Sequence, residues 1–177
     1  MPIQVLMPPN WAADLPRDHF WLHQNMPLLF HIEPPLRYTL RERNRLKRWL
    51  RQVVATENAR LGDLNFIYCT DNYLLDLNRQ YLNHHTLTDV ITFDHSDEAG
   101  FIAGDIFISI DRVKDNATQF KTCADDELRR VMVHGTLHLL GYGDKTPDQK
   151  REMTQKENEY LALWQTETEQ NLPKNTE

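Results

Sequence analysis

The chain is short of three things: cysteine, long apolar runs and positive charge. Its 177 residues include two cysteines, Cys69 and Cys123, and neither belongs to a CxxC pair. A disulfide scaffold or a zinc ribbon would need more cysteines, so we expect two reduced thiols in a cytoplasmic protein. The longest apolar runs, at 131–133 and 137–142, are far below the roughly 20 residues that cross a bilayer. The N-terminus also shows no basic segment followed by a smooth apolar stretch, so we expect neither a membrane span nor an export signal.

The charge balance is acidic. A total of 26 Asp and Glu residues against 20 Lys and Arg residues gives a net charge of −6 at pH 7. This balance argues against a protein that coats nucleic acid, because phosphate binding needs a basic surface, but it is compatible with a local basic patch. Apolar residues make up 40% of the chain, which is enough for one hydrophobic core.

Proline and polarity divide the chain into three parts. Prolines at 2, 8, 9, 16 and 27 interrupt every candidate element near the N-terminus, so residues 1–30 are predicted to be an extension with no clear helical or strand period. The compact domain is expected at 31–165. Residues 166–177 are predicted to be a polar C-terminal tail.

Hydrophobic periodicity within 31–165 predicts an α+β fold. Apolar runs rich in aromatic and β-branched residues predict strands at 64–69, 89–93 and 104–110. Helical spacing and end signals predict helices at 39–56, 71–81, 112–120, 125–140 and 147–165, with Asp71 as the cap of the second. We therefore expect a single domain with one small mixed β-sheet packed by helices.

The sharpest motif is HGTLHLLGYGD at 134–144. On the predicted helix, His134 and His138 lie about 40° apart around the axis and about 6 Å apart along it, so that both imidazoles can reach one metal ion. Gly141 follows where a helix commonly ends in a left-handed turn, and the chain can then bring Asp144 back toward the histidines. Three protein ligands with a fourth position open for water are typical of a catalytic zinc site.

Two comparisons within the sequence sharpen this hypothesis. His19 and His23 have the same spacing but lie in the proline-rich extension without the following glycine and acid, so we interpret that pair as accidental. Zinc peptidases place a glutamate general base directly after the first histidine, and here that residue is Gly135. Peptide hydrolysis is disfavoured, whereas a metal that acidifies water and stabilises an oxyanion suits phosphodiester hydrolysis.

Three segments in order, 77–94 (LNRQYLNHHTLTDVITFD), 104–109 (GDIFIS) and 127–144 (ELRRVMVHGTLHLLGYGD), resemble the YbeY family of bacterial endoribonucleases, or rRNA maturation factors. The similarity covers about residues 37–160. It implies a single domain with a zincin-like metal helix, one Zn²⁺ held by His134, His138 and residue 144, and single-strand-specific cleavage of RNA. It also implies a role in maturation of the 16S rRNA 3′ end and in ribosome quality control. The implied partners are rRNA, the small ribosomal subunit and its assembly factors, with no DNA.

The chain departs from the family pattern at two positions. The third ligand is usually histidine in the family and is Asp144 here; a carboxylate is an acceptable zinc ligand. The family arginine that follows the tyrosine of the first segment, to which the resemblance assigns a part in activity, is replaced by Leu82 after Tyr81, and Arg79 is the candidate substitute.

Other polar residues lie in or near the motifs. Glu127 lies seven residues before His134 on nearly the same helix face, so it is a candidate for orienting a metal ligand or the water; alternatively, it is only a first-turn acid that favours the helix dipole. Asp89 and Asp105 are expected to make strand-end hydrogen bonds and shape the cleft. Of the loop histidines, one could line the cleft, although each is better explained as a surface residue: His84, His85 and His95.

A basic run stands out within the acidic chain. Residues 37–51 carry seven Arg and Lys residues against the single acid Glu42. On a helix, Arg41, Arg45 and Arg48 would fall within about 60° of one another. We predict that they contact RNA phosphates; the alternative is an ordinary solvated helix face.

The sequence therefore favours a zinc-dependent endoribonuclease over three alternatives. These are a zincin-type metallopeptidase with a base elsewhere, a non-catalytic ribosome-assembly factor stabilised by zinc, and a non-haem iron site, since two histidines and a carboxylate also suit Fe(II).

Overall fold

A computed structural model of the chain describes residues 27–170. The predicted extension, apart from 27–30, therefore lies outside the described residues, as do His19, His23 and the tail from 171 onward. The elements run in the order β1 (Leu28–Ile32), α1 (Arg43–Thr56), β2 (Arg60–Cys69), α2 (Asp71–Leu82), β3 (Val90–Asp94), β4 (Phe101–Ser109), α3 (Ile110–Phe120), α4 (Ala124–Leu139) and α5 (Pro147–Gln170).

The four strands form one mixed sheet in the order β1-β2-β4-β3. β1 and β4 both run parallel to β2, and β3 runs antiparallel to β4. The predicted α+β fold with one small mixed sheet is confirmed. No helix within residues 27–170 combines the length and apolarity needed to cross a membrane.

β1 is the element that the sequence analysis missed. Its five residues are too few for a recognisable period, and they follow directly after Pro27. The strand exists because it pairs along β2, from Leu28 opposite Leu64 to Ile32 opposite Tyr68. Such a pairing between distant segments leaves little local signal. The predicted domain covers residues 31–165. β1 begins three residues before this range, and α5 continues five residues beyond it.

The sheet has helices on both faces, with the larger core on one side. Trp49 of α1, Met132 of α4 and Tyr160 of α5 pack with Phe66 and other alternate residues of the strands in one buried cluster. α2 covers part of the opposite face, over a smaller cluster of Cys69, Leu74, Ile91 and Phe93. α4 therefore lies between the sheet and α5, and residues on both of its sides are confined by neighbours.

Gly135 is where α4 comes closest to the sheet. A Cβ at this position would lie 2.7 Å from Cγ2 of Ile106 and 3.3 Å from Cγ2 of Val90. Both distances are shorter than ordinary carbon contacts, so the helix can pack at this depth only with a glycine here.

Two local predictions are wrong. α1 begins at Arg43 instead of residue 39, because Glu42 takes a left-handed backbone conformation with φ 51°. The cap of α2 is Thr70, whose hydroxyl accepts from the backbone N–H of Tyr73 at 3.4 Å. The Asp71 carboxylate instead accepts from Nε of Arg112 at 2.8 Å, so this acid joins α2 to α3.

Candidate metal centre

The C-terminal half of α4 and the turn after it bring three potential ligands together. The Nε2 atoms of His134 and His138 are 3.0 Å apart. Gly141, at φ +94°, ends the helix in a Schellman turn, in which the Tyr142 N–H donates to the Leu137 carbonyl at 2.9 Å. The chain reverses as expected, and His134, His138 and Asp144 each offer a ligand atom within 4.8 Å of the others.

Both imidazoles are held through Nδ1. In His138, Nδ1 lies 2.9 Å from the carbonyl oxygen of Tyr142, and in His134 it lies 2.7 Å from Oε1 of Glu157. A carbonyl and a carboxylate can only accept, so each Nδ1 carries a hydrogen and a neutral ring keeps its lone pair on Nε2. Both Nε2 atoms are thus directed at one point, where they must share a proton or a cation. This arrangement, with each ligand held by an outer partner, is typical of metal-binding histidines.

Burial and charge separate the two histidines in pKa. Burial, together with the charge of His134, lowers the pKa of His138 to about 4. Burial by itself would lower the pKa of His134 as well, but the hydrogen bond and charge of Glu157 outweigh it and raise this pKa, with Asp89 and Asp144 contributing. His138 is therefore neutral at pH 7, the form in which imidazole binds metals.

The donor set fits a divalent metal ion. Two imidazole nitrogens and a carboxylate oxygen suit Zn²⁺, and they also suit Fe(II). Metal ligation by His134, His138 and Asp144 remains a prediction, which their convergence supports.

Glu157 is a site residue that the sequence analysis missed. It lies on α5, 23 residues after His134, and is 8% exposed. Its second oxygen accepts from Nη1 of Arg130 at 2.9 Å, while Nη2 of the same arginine donates to Asn158 at 3.1 Å. Among the many acids of α5 nothing in the local sequence distinguishes this one, because its role depends on how α5 packs against α4.

Glu127 is buried at the start of α4, with 4% exposure. Burial, together with the nearby charge of Asp89, raises its pKa, against the lowering effect of Arg130 and of a hydrogen bond with Asn116. The carboxylate that is hydrogen-bonded to the His134 ring is that of Glu157, whereas Glu127 lies in the first turn of α4. That Glu127 orients a metal ligand or the water stays a prediction.

The remaining polar candidates lie in different places. Asp89 accepts from Nδ2 of Asn116 at 3.1 Å and its carbonyl accepts from the Ser109 N–H at 2.9 Å, as expected for a strand-end residue. Ile106 faces α4, so its neighbour Asp105 projects from the opposite face of the sheet. There, Oδ1 of Asp105 accepts from Nδ2 of Asn65 at 2.8 Å.

The other candidates lie on the opposite face of the sheet, on α2 or in the loop after α2. His95 lies beside Asp105 on that opposite face, at 3.7 Å, and therefore does not line the metal centre. Leu82 packs against the cluster beneath α2, and Arg79 pairs with Asp76 at 3.4 Å on the surface. His84 and His85 lie in the loop between α2 and β3, where the backbone N–H of His84 donates to Asn78.

The three arginines of the predicted basic face do not share a helix face. Arg41 precedes α1 and lies 4.0 Å from Asp125, with 79% of its side chain exposed. The guanidinium of Arg45 lies 3.6 Å from the centre of the Trp164 ring and also donates to the Trp164 carbonyl. Arg48 is exposed. Asp125 lies nine residues before His134 and thirteen before His138 on α4, so the contact with Arg41 places this basic segment about 14 Å along the helix from His134 and about 20 Å from His138.

A groove of about 800 Å³ runs between α4 and α5, and its lining includes Glu157, the partner of His134. Arg130, Glu157 and Asn158 line it near the centre, and Trp164 lines it toward the basic segment.

The fold and the site together define a small α+β protein with a histidine–carboxylate centre of the kind found in metal-dependent hydrolases. Residues 37–165 match the family model described as Endoribonuclease YbeY, and the chain belongs to that family. The resemblance predicted from the three sequence segments is thereby confirmed, and the chain is a member of an enzyme family named for RNA hydrolysis.

Relatives support this assignment over most of their length. A Cytophaga hutchinsonii protein named Endoribonuclease YbeY is 47% identical over 135 residues, covering 76% of this chain and 94% of the relative. A Flavobacterium psychrophilum protein of the same name is 50% identical over 129 residues, covering 72% and 90%. A solution structure from Thermotoga maritima matches 85% of this chain and all of its own with a TM-score of 0.56 at 24% identity, which supports the fold alone.

Proposed function

We propose that this chain is a zinc-dependent, single-strand-specific endoribonuclease that acts in maturation of the 16S rRNA 3′ end and in ribosome quality control. The observation that carries the metal-dependent chemistry is the convergence of the two Nε2 atoms with the Asp144 carboxylate. Family membership supplies the reaction class, hydrolysis of an RNA phosphodiester bond. The partners would be rRNA, the small ribosomal subunit and its assembly factors in the cytoplasm, and no DNA substrate is expected.

His134, His138 and Asp144 would hold the ion, and three protein ligands leave a position for water or substrate. When bound, Zn²⁺ would polarise a phosphoryl oxygen and make a water molecule more acidic. The chain's own residues keep the site ready for it: Glu157 and the Tyr142 carbonyl hold each Nδ1–H, so that both Nε2 lone pairs face inward.

RNA would reach this centre along the groove between α4 and α5. Arg130 lies in the groove one turn before His134. The exposed Arg41 lies beside Asp125 toward the far end of α4, and Arg48 is exposed on α1. Contacts so far from the reacting phosphate would hold flanking nucleotides, without a direct part in cleavage. Arg45, which is engaged with Trp164, would contribute mainly by fixing α1 to α5.

The structure gives a reason to rank the metallopeptidase lower. The position of the peptidase base is occupied by Gly135, and this position faces Ile106 at a distance that leaves no room for a side chain. A base would have to come from elsewhere in the chain.

The test is metal analysis of the purified protein together with a cleavage assay on single-stranded RNA. His138→Ala should lose both the bound zinc and the cleavage, because it removes a buried ligand nitrogen. His95→Ala, which changes a histidine on the opposite face of the sheet, should keep both.

Each competing function predicts a different result. RNA cleavage by a metal-free His138→Ala protein would refute the proposed mechanism. Chelator-sensitive peptide hydrolysis without RNA cleavage would favour the metallopeptidase. Ribosome association that survives His134→Ala, with no cleavage by the wild type, would favour a non-catalytic assembly factor. Bound iron in place of zinc in the purified protein would favour the non-haem iron site.

A further inference from the structure

Glu57, directly after the end of α1, is a largely buried carboxylate with three donors. It accepts from the Tyr142 hydroxyl at 2.8 Å, from Nζ of Lys156 at 2.8 Å and from the Tyr160 hydroxyl. Its side chain is 13% exposed. Burial alone would raise its pKa, but the hydrogen bonds from Lys156, Tyr160 and Tyr142 outweigh it and lower this pKa. The carboxylate is therefore charged when it holds its partners.

One series of contacts connects Glu57 with His138. Tyr142 is bonded at both ends, since its hydroxyl donates to Glu57 and its carbonyl oxygen accepts from Nδ1 of His138 at 2.9 Å. Tyr142 also lies in the turn that returns the chain to Asp144. A shift of this residue would therefore change the ring orientation of one candidate ligand and the approach of another.

A second series of contacts connects Glu57 with His134. Lys156 and Tyr160 flank Glu157 on α5, and both donate to Glu57. The carbonyl of Tyr160 also accepts from the indole N–H of Trp49 at 2.8 Å, which joins α5 to α1. These bonds set the position of α5 along α1, and this position places the Glu157 carboxylate 2.7 Å from Nδ1 of His134.

We propose that Glu57 is a positioning residue of the metal centre, which through Tyr142 and α5 holds both histidines in their ligating orientation. The inference rests on the metal centre of the proposed function, and it is independent of which RNA is cleaved. Outer partners of metal ligands typically change metal affinity by about 10–100-fold when they are removed. Glu57 acts one bond further out, so we expect the lower end of this range.

The experiment measures Zn²⁺ affinity by competition with a chromogenic chelator, and the visible spectrum of the Co²⁺-loaded protein, for folded variants of the full chain. Tyr142→Phe removes one hydroxyl and should weaken Zn²⁺ binding by about fivefold to tenfold. Glu57→Gln should weaken it by about tenfold or more and alter the Co²⁺ spectrum. The matched control is Tyr68→Phe, which removes a buried hydroxyl bonded to the sulfur of Met132.

The double variant Glu57→Gln/Tyr142→Phe should bind Zn²⁺ as Glu57→Gln does, because both changes act on the same contact, the hydrogen bond from the Tyr142 hydroxyl to Glu57. Unchanged Zn²⁺ affinity in folded Tyr142→Phe and Glu57→Gln would overturn the proposal, as would equal losses in Tyr68→Phe or additive losses in the double variant. If the wild type binds Zn²⁺ with this pattern but cleaves no RNA, the proposed function fails while the positioning role of Glu57 stands.

Discussion

The substitution Gly135→Ala tests how closely α4 must pack on the sheet. The added methyl group would meet Cγ2 of Ile106 at 2.7 Å and Cγ2 of Val90 at 3.3 Å. Since carbon atoms pack best at about 3.5–4.0 Å, the helix and β4 would have to separate by about 1 Å at this point. Both sides of α4 are confined, so that movement would disturb packing on α5 as well.

Two opposing contributions set the size of the effect. Alanine is favoured over glycine inside a helix by about 1 kcal/mol. Overpacking a well-packed core costs about 1–3 kcal/mol. We therefore expect Gly135→Ala to lower the free energy of unfolding by about 1 kcal/mol, and by no more than about 2 kcal/mol.

The background variant Ile106→Ala separates the two contributions. It removes Cγ2 and so the closest contact, which leaves the helix preference of alanine to dominate. In this background, Gly135→Ala should raise the free energy of unfolding, by up to about 1 kcal/mol. Urea unfolding of the metal-free proteins, followed by circular dichroism, measures both differences. The same sign in both backgrounds would refute the close-packing explanation for Gly135.

Three further predictions concern charge. Glu157→Gln should weaken Zn²⁺ binding by about tenfold in a chelator competition, because an uncharged amide holds His134 less strongly, whereas the exposed Glu159→Gln should leave it unchanged. The hydrogen bonds to Glu57 lower the pKa of its carboxyl group below the usual 4.5. The stabilisation from the charged carboxylate should therefore be complete above about pH 4.5 and be lost as the pH falls further. The difference in unfolding free energy between wild type and Glu57→Gln should shrink accordingly in acid. Arg41→Glu and Arg48→Glu should each weaken the binding of single-stranded RNA. If the residue contacts one phosphate, the slope of log K against log salt concentration should become shallower by about 0.7. Slopes equal to that of the wild type would exclude such contacts.

The elements that could be predicted are those with a local signal. Helices α2 to α5 follow from apolar spacing, and the Schellman turn at Gly141 follows from a glycine three residues after His138. The strand β1 and the start of α1 at Arg43 did not follow, because one depends on pairing with β2 and the other on the left-handed backbone of Glu42.

The same division runs through the site. His134, His138 and Asp144 are separated by one helical turn and one reversal of the chain, so short-range geometry was enough to predict that they meet. The partners that orient them are Glu157 on α5 and Glu57 directly after α1, and acids at such distances in sequence have no distinguishing pattern.

The sequence by itself therefore determined the family, the α+β class and the three candidate ligands, because short-range spacing and ordered motifs carry all three. Only the tertiary structure decided which side chains hold the histidines, why residue 135 is a glycine, and how far the basic segment lies from the centre. Those properties arise where α4 is enclosed by the sheet and α5, and the contacts there join residues that are remote along the chain.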